Sequence, residues 1–314
     1  MNLKIILILF FTASCLSLNA KSIVYGKLWI TVESQDAISG TDIDVVSNAS
    51  RLGAKGSIDF GKGLEVIYQA EFEVDPIDGK VGESKEKTFK QRNTFVGIKG
   101  SYGTLFLGTH DTALKESQDK IDLFNDLAGD IENILQGENR MKDFIGYTTP
   151  TFGGFMSATF NAIKGVEELG NDSVEGSTSV SLNYKTKSFY AAISIDSKLK
   201  GYDSTRLTLQ LPWDKTQLGI IYQDTEKLST GIKEDGYVVS LSYKVRKKGL
   251  IKVQLAESDM KFGSGKQTSF GYDYKLNEKT KAFFFFTDLS GSTESKEKKV
   301  TAVGFEYKFY VIIN

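Results

Sequence analysis

Eight carboxylates crowd into one stretch of the chain. Asp111, Glu116, Asp119, Asp122, Asp126, Asp130, Glu132 and Glu138 fall between Asp111 and Asn139, against only Lys115 and Lys120. Carboxylates at such density can serve as acid or base catalysts, hold cations, or bias the ions that pass near them. Catalysis or metal binding would need partner groups, and these are missing. The chain has one histidine, His110, and one cysteine, Cys15, too few for a histidine-rich metal centre or a zinc-protease pattern. No G-x-S-x-G frames a serine that His110 could activate. Gly263–Lys266 reads GSGK but is followed by Gln267 and lacks the glycine spacing of a phosphate loop. What remains is electrostatic: a segment of net charge minus six (eight acids, two lysines) that either hangs in water or lines a polar space.

The surrounding elements decide between those two. Residues 1–20 hold a lysine, the apolar run Ile5–Phe11 and a small-residue end at Ala20, the pattern of a secretory signal peptide. Residues 21–314 then form the mature domain, with no cysteine and with 38 basic residues (39 less Lys4) against 40 acidic ones. That balance gives no field for nucleic acid. An exported chain without disulfides needs another source of stability, and a closed sheet is one. Three prolines and 35 Tyr plus Phe (14 and 21) favour strands.

Sixteen segments alternate apolar with polar residues, from Ile23–Val32 to Val300–Phe309. The links between them alternate too. Gly61–Gly63, Ser101–Gly103, Lys185–Ser188 and Arg246–Gly249 are tight turns. Glu33–Ser50, Asp75–Gln91, Asp111–Asp143 and Ser197–Ser204 are long. Short turns at one rim and long loops at the other describe an up-and-down transmembrane barrel. In the last strand Val303, Phe305, Tyr307 and Phe309 share one side, and Ala302, Gly304, Glu306 and Lys308 the other. Two strands break the rule: Phe283–Phe286 are four consecutive aromatics, and 92–100 is apolar on both faces. Such strands are expected to pack against an inserted loop or another subunit. After Phe309 the chain runs on through Tyr310–Asn314, either as a longer strand or as a loose tail whose removal leaves assembly intact.

The blocks Ser50–Val74 (SRLGAKGSIDFGKGLEVIYQAEFEV), Arg92–Thr112 (RNTFVGIKGSYGTLFLGTHDT) and Arg140–Phe155 (RMKDFIGYTTPTFGGF) resemble, in order, those of the Gram-negative trimeric general porins. Tyr25–Ile30 resembles their first strand and Gly304–Phe309 their last. The resemblance implies an all-β, antiparallel up-and-down barrel of about sixteen strands, with a third loop (111–139) folded inward to narrow the pore. It implies that Arg51, Arg92 and Arg140 stand on the wall as cations, facing Asp122 and Asp126, with Asp119 beside them on the loop. His110 departs from the pattern, since relatives commonly carry arginine there, and a neutral imidazole weakens the basic side. The lumen position of Arg51 follows independently from alternation, because an arginine on the lipid face near the midplane costs about 2–4 kcal/mol.

The expectation is a passive channel in the outer membrane of a Gram-negative bacterium, without cofactor, metal or enzymatic activity. By resemblance its partners are outer-membrane lipid and lipopolysaccharide, two further copies of itself as a homotrimer, and small hydrophilic solutes and ions. A net charge of minus six on the loop, against three arginines, predicts a weak preference for cations. The other readings are a substrate-specific porin and a surface adhesin or coat barrel.

Overall fold

A computed structural model describes residues 20–37, 40–81, 87–164, 176–261, 265–291 and 297–313. The expected signal peptide lies outside them except for Ala20. The strands are β1 (Ala20–Ala37), β2 (Gly40–Ser47), β3 (Arg51–Asp59), β4 (Glu65–Glu73), β5 (Lys90–Gln91), β6 (Thr94–Gly100), β7 (Gly103–Asp111), β8 (Arg140–Thr148) and β9 (Met156–Ile163). They continue with β10 (Ser177–Lys185), β11 (Tyr190–Leu199), β12 (Tyr202–Trp213), β13 (Thr216–Lys227), β14 (Ile232–Val245), β15 (Gly249–Ser258), β16 (Gly265–Lys275), β17 (Thr280–Ser290) and β18 (Lys298–Ile313). β2 and β3 pair with the two halves of β1, and β5 and β6 both pair with β4. Each couple is one spanning strand with a break, so eighteen less two gives sixteen. Antiparallel pairing of β1 with β18, from Ser22↔Ile313 to Ala37↔Lys298, closes the barrel. Closure removes the exposed sheet edge that sixteen strands would otherwise leave.

Burial is inverted relative to a water-soluble protein. Ser179, Gln223, Thr225, Gln254, Ser269 and Thr287 are fully buried, while Ile98, Leu107, Ile145, Leu207, Leu255 and Val303 are 46–61% exposed. A soluble fold would hide the second group and show the first. In a bilayer the pattern is the stable one, with an apolar belt toward acyl chains and polar residues toward the lumen. The β18 faces are as expected: Val303, Phe305 and Tyr307 point out, while Ala302 and Glu306 are buried. Phe60, Tyr102, Phe152, Trp213, Tyr243 and Tyr307 are exposed close to the short-turn ends of their strands, where aromatic girdles sit at the interface.

Two of the expected long loops are hairpins. β1 and β2 are joined by residues 38–39, and β11 and β12 by residues 200–201. The strands continue above the lipid, where water meets both faces and the apolar–polar alternation that marks a strand is lost. Residues 163–176, a further long link between expected strands, fall largely outside the described residues. The aromatic run on β17 divides by parity: Phe284 and Phe286 are outward and exposed, Phe283 and Phe285 are buried. The inward pair packs with Trp29, Phe124 and Leu127, so an inserted loop accounts for it.

The tail is strand. Tyr310, Val311, Ile312 and Ile313 pair with Tyr25, Val24, Ile23 and Ser22. At roughly 0.2–1 kcal/mol per cross-strand pair, deletion of 310–314 is expected to lower the temperature at which the folded form survives in SDS electrophoresis. An unchanged transition would mean that the four pairs contribute nothing to closure.

Candidate functional site

The loop between β7 and β8 turns into the barrel. It opens with a helical turn, α1 (Ala113–Glu116), capped by Thr112, whose hydroxyl accepts from Lys115 N. Asp130 caps a 3-10 turn over Ile131–Asn133 and accepts from Glu132 N at 2.7 Å. Its apolar residues are anchors on the inner wall. Ile121, Ile131, Ile134 and Leu135 pack on Ile221, Val238, Ala256, Met260 and Leu289, and Phe124 and Leu127 on Phe283 and Phe285. Full burial of each such side chain is worth roughly 1.5–3 kcal/mol. Wall polar groups complete the seating. Gln254 Nε2 donates to Gly129 O at 3.0 Å, Gln267 Nε2 to Gly129 O at 2.7 Å, and Asn161 Oδ1 accepts from Ala113 N at 2.6 Å. The serine- and glutamine-rich wall is therefore the bed of the loop.

The loop tip reaches the facing wall at Asp126. Its carboxylate is ion-paired and hydrogen-bonded to Arg51, and lies 3.5 Å from Lys27 Nζ and 3.6 Å from Arg92 Nη2. Burial works against its charge, but the fields of Arg51, Arg92 and Lys27 prevail and hold the carboxyl below the ordinary aspartate range. Two β4 acids balance the cations from behind. Arg92 Nε is 3.0 Å from Glu71 Oε1 and its Nη1 3.3 Å from Glu73 Oε2, while Arg51 Nη1 is 3.6 Å from Glu71 Oε1. Tyr25 donates to Glu71 Oε2 at 2.8 Å. Lys27, Arg51 and Arg92 thus balance Asp126, Glu71 and Glu73 at the loop tip, with the half-exposed Lys90 3.9 Å from Glu73 at the edge.

Breaks in the strands aim these groups. Arg51 follows the interruption at Asn48–Ser50, where Ala49 takes a φ of 48° and Ser50 Oγ accepts from Trp29 N at 2.9 Å. Arg92 sits in the gap between β5 and β6. Gly108 has φ +145°, and a Cβ there would lie 2.3 Å from Thr94 O. The register between β7 and β8 shifts just beyond it. Bulges bend a strand and re-aim the side chains beside them.

The other expected residues lie elsewhere. Arg140 forms a second cluster at the root of the loop, with Nη2 3.0 Å from Asp111 Oδ1 and Nε donating to Asn93 Oδ1 at 2.7 Å. His110 is set among Phe95, Phe106 and Phe144, with Nδ1 2.9 Å from Asp111 O, away from Arg51 and Arg92. Asp119 pairs with Lys185 Nζ at 2.9 Å, at the short-turn end of β10. Asp122 turns into the loop instead of facing a cation. It accepts from Phe124 N at 3.0 Å, Ile131 N at 3.2 Å and Gln254 Nε2 at 3.2 Å. Burial pushes its carboxyl up to about 6. Asp130, buried and close to the Asp122 charge, is raised well above the ordinary range. Glu138 stands 2.8 Å from Arg206, whose guanidinium is fully buried. Of the eight loop acids, Asp111, Asp119, Asp126 and Glu138 face cations, and Asp122 and Asp130 hold loop backbone. The count of minus six therefore overstates the charge that an ion would meet.

Lys27, Glu71, Glu73 and Arg206 belong to the site but were not singled out in the sequence. Glu71 and Glu73 sit two apart on the polar side of EFEV, and Lys27 shares the parity of Tyr25 and Trp29. Alternation alone was enough to place those three in the lumen.

A family profile described as Gram-negative porin matches residues 7–294. Major outer membrane protein P.IB of Neisseria lactamica is 26% identical over 210 residues, 62% of this chain and 58% of that protein. One from Neisseria gonorrhoeae is 25% identical over 182 residues, 54% and 49% of the two. The chain thus spans about half the length of these Neisseria relatives. Outer membrane porin protein 32 of Delftia acidovorans is 26% identical over 285 residues, covering 83% of this chain and 78% of the relative. Among solved structures, an anion-selective porin from Comamonas acidovorans aligns with a TM-score of 0.76 at 21% identity, over 92% of this chain and 100% of that one. OmpF of Salmonella typhi, solved with daunomycin, gives 0.73 at 14% identity, over 91% and 97%. A profile match over nearly the whole chain, on a closed sixteen-stranded barrel with an inward third loop, makes this chain a member of the Gram-negative porin family of the outer membrane.

Proposed function

We propose that the protein forms a water-filled channel for passive diffusion of small hydrophilic solutes and ions, as a homotrimer, with a weak preference for anions. The observation that carries this reading is the charge left open along the lumen once the pairs are formed. The carboxylates at the loop tip are matched by cations, and six of the eight loop acids are engaged. At the short-turn rim, by contrast, a mouth of about 350 Å³ is lined by Lys244, Arg246, Lys247, Lys248, Lys275, Lys279, Lys281 and Lys308 against Asp273, Glu278 and Glu306, eight cations to three acids. A basic mouth with low-dielectric walls raises the local anion concentration, and salt screens it over about 10 Å at 0.1 M. The Comamonas porin of similar fold is anion-selective, in the same direction. Trimer formation is proposed from the family and from a Vibrio cholerae neighbour solved in a trimer form.

Reconstitution in planar bilayers tests both parts. Stepwise conductance is expected, with a zero-current potential in a KCl gradient that favours chloride a few-fold. The triple change Arg246→Gln, Lys247→Gln, Lys248→Gln should move that potential toward neutrality. A protein that inserts but does not conduct would end the channel reading, and a cation-favouring potential would end the proposed selectivity.

A further inference from the structure

On the long-loop side of the barrel, the returning arm of the third loop and the β11–β12 hairpin enclose a cavity of about 330 Å³. Its floor contains Asp196 and Glu138, whose residue and side-chain exposures are 1% and 2%. Arg206 lies near Asp196, and the Ser179 hydroxyl is placed to donate to one of its oxygens, but no further donor of ordinary geometry reaches the carboxylate among the described residues. Glu138 Oε2 also lacks a donor among them. Arg206 cannot serve them all, because Nε donates to Gln223 Oε1 at 2.8 Å, Nη2 to Gln136 O at 3.2 Å, and Nη1 to Leu114 O at 3.4 Å while also facing Glu138 Oε1. Burying carboxylate oxygens without donors is costly, because the charge loses its hydration and gains nothing in return. The site therefore favours a ligand that brings donors and positive charge.

We propose that this cavity binds short linear zwitterions, as in ω-amino acids and dipeptides. The ammonium sits on Asp196 and Glu138, and the carboxylate lies toward Lys200 and Lys261 at the rim. A primary ammonium carries three N–H donors, enough for the Asp196 and Glu138 oxygens that lack one. A metal ion fits less well, since the described residues contain no cluster of three or more acid, histidine or cysteine ligands. At the rim Lys261 Nζ donates to Glu132 O at 2.6 Å, which leaves it further N–H donors. The lining carries Glu132, Glu138 and Asp196 against Lys200 and Lys261, with Arg206 buried behind Glu138, and a neutral zwitterion leaves that balance unchanged. The inference rests on the channel reading and adds a solute class to it.

The test uses the full-length protein in detergent and three probes of matched length: 5-aminopentanoate, pentylamine and pentanoate. Ligand-observed NMR is expected to show 5-aminopentanoate binding more tightly than pentylamine, and pentanoate not at all. Asp196→Asn should weaken both amine probes by about tenfold or more. Lys261→Gln should weaken 5-aminopentanoate and leave pentylamine unchanged. Equal binding of pentanoate and 5-aminopentanoate, or no binding of either amine at tens of millimolar, would overturn the assignment. KCl conductance is recorded on the same preparations. A conducting protein that ignores the probes refutes this site alone, whereas a protein that does not conduct refutes the channel reading.

Discussion

Replacing Arg206 with methionine is expected to unseat the third loop while leaving the barrel closed. The guanidinium is fully buried and joins the loop's returning arm to β12 and β13 through Glu138, Gln136 and Gln223. Methionine removes the cation but leaves the Glu138 carboxylate in the same dry place, beside Asp196. Stranding one partner of a buried ion pair costs about 3–5 kcal/mol, comparable to two or three of the apolar anchors that hold the loop. The strand ladder does not depend on the pair, so the folded form should still migrate as a heat-modifiable species. Conductance should rise and become noisy, and liposome swelling should admit larger sugars than the wild type does. Adding Glu138→Gln to Arg206→Met removes the stranded charge and should recover part of the quiet, narrow state. Wild-type conductance and exclusion in the single variant would show that the apolar anchors alone hold the loop.

The strands were legible because the membrane forces a two-residue period on them, and β18 shows it from Ala302 to Tyr307. Above the lipid that force vanishes, which is why Gly40–Ser47 reads as loop and folds as strand. Phe283–Phe286 breaks the period, and the break was informative: it signalled a second surface inside the barrel, which Phe124 and Leu127 supply. Arg51 was visible both from the family blocks and from parity, Arg92 from the family blocks alone. Asp122 and Asp126, four residues apart on the loop, were not distinguishable, because no periodicity tells which carboxylate turns into loop backbone and which faces the wall. Arg206 was invisible for a related reason. A lone arginine in a strand acquires its role only when a loop arm from 70 residues upstream returns over it.

Net charge by count failed at the loop for the same physical cause. Counting treats each acid as an independent source of field, whereas a paired carboxylate and its cation act on a distant ion as a dipole that falls away within a few ångströms. On the proposed reading, the groups that matter for ion choice are those whose counter-charge is missing nearby, and at the basic mouth these are Lys244, Arg246, Lys247, Lys248, Lys275 and Lys279, since Lys281 is paired with Asp273 and Glu306.

Single substitutions at the two loop aspartates should therefore give opposite classes of result. Asp126→Asn removes one negative charge from the three carboxylates that balance Lys27, Arg51 and Arg92 and leaves one cationic charge uncovered. Near a protein wall, two unit charges 4 Å apart interact by about 4 kcal/mol, so the uncovered charge on Arg51, Arg92 and Lys27 is felt strongly by a passing anion, less so as salt rises. The zero-current potential in a KCl gradient should move further toward chloride by a few-fold in permeability ratio, and conductance should rise as the tip is released from Arg51. Asp122→Asn behaves otherwise. Its carboxyl is buried and raised to about 6, and its oxygens hold Phe124 N, Ile131 N and Gln254 within the loop. An amide retains an acceptor oxygen for part of that set, so the potential should stay at the wild-type value with at most some added noise. Arg51→Gln supplies the opposite sign, since it leaves Asp126 with less cation around it and should weaken the chloride preference. Equal shifts from Asp122→Asn and Asp126→Asn would mean that both carboxylates face the ion path, and the assignment of Asp122 to loop backbone would fall.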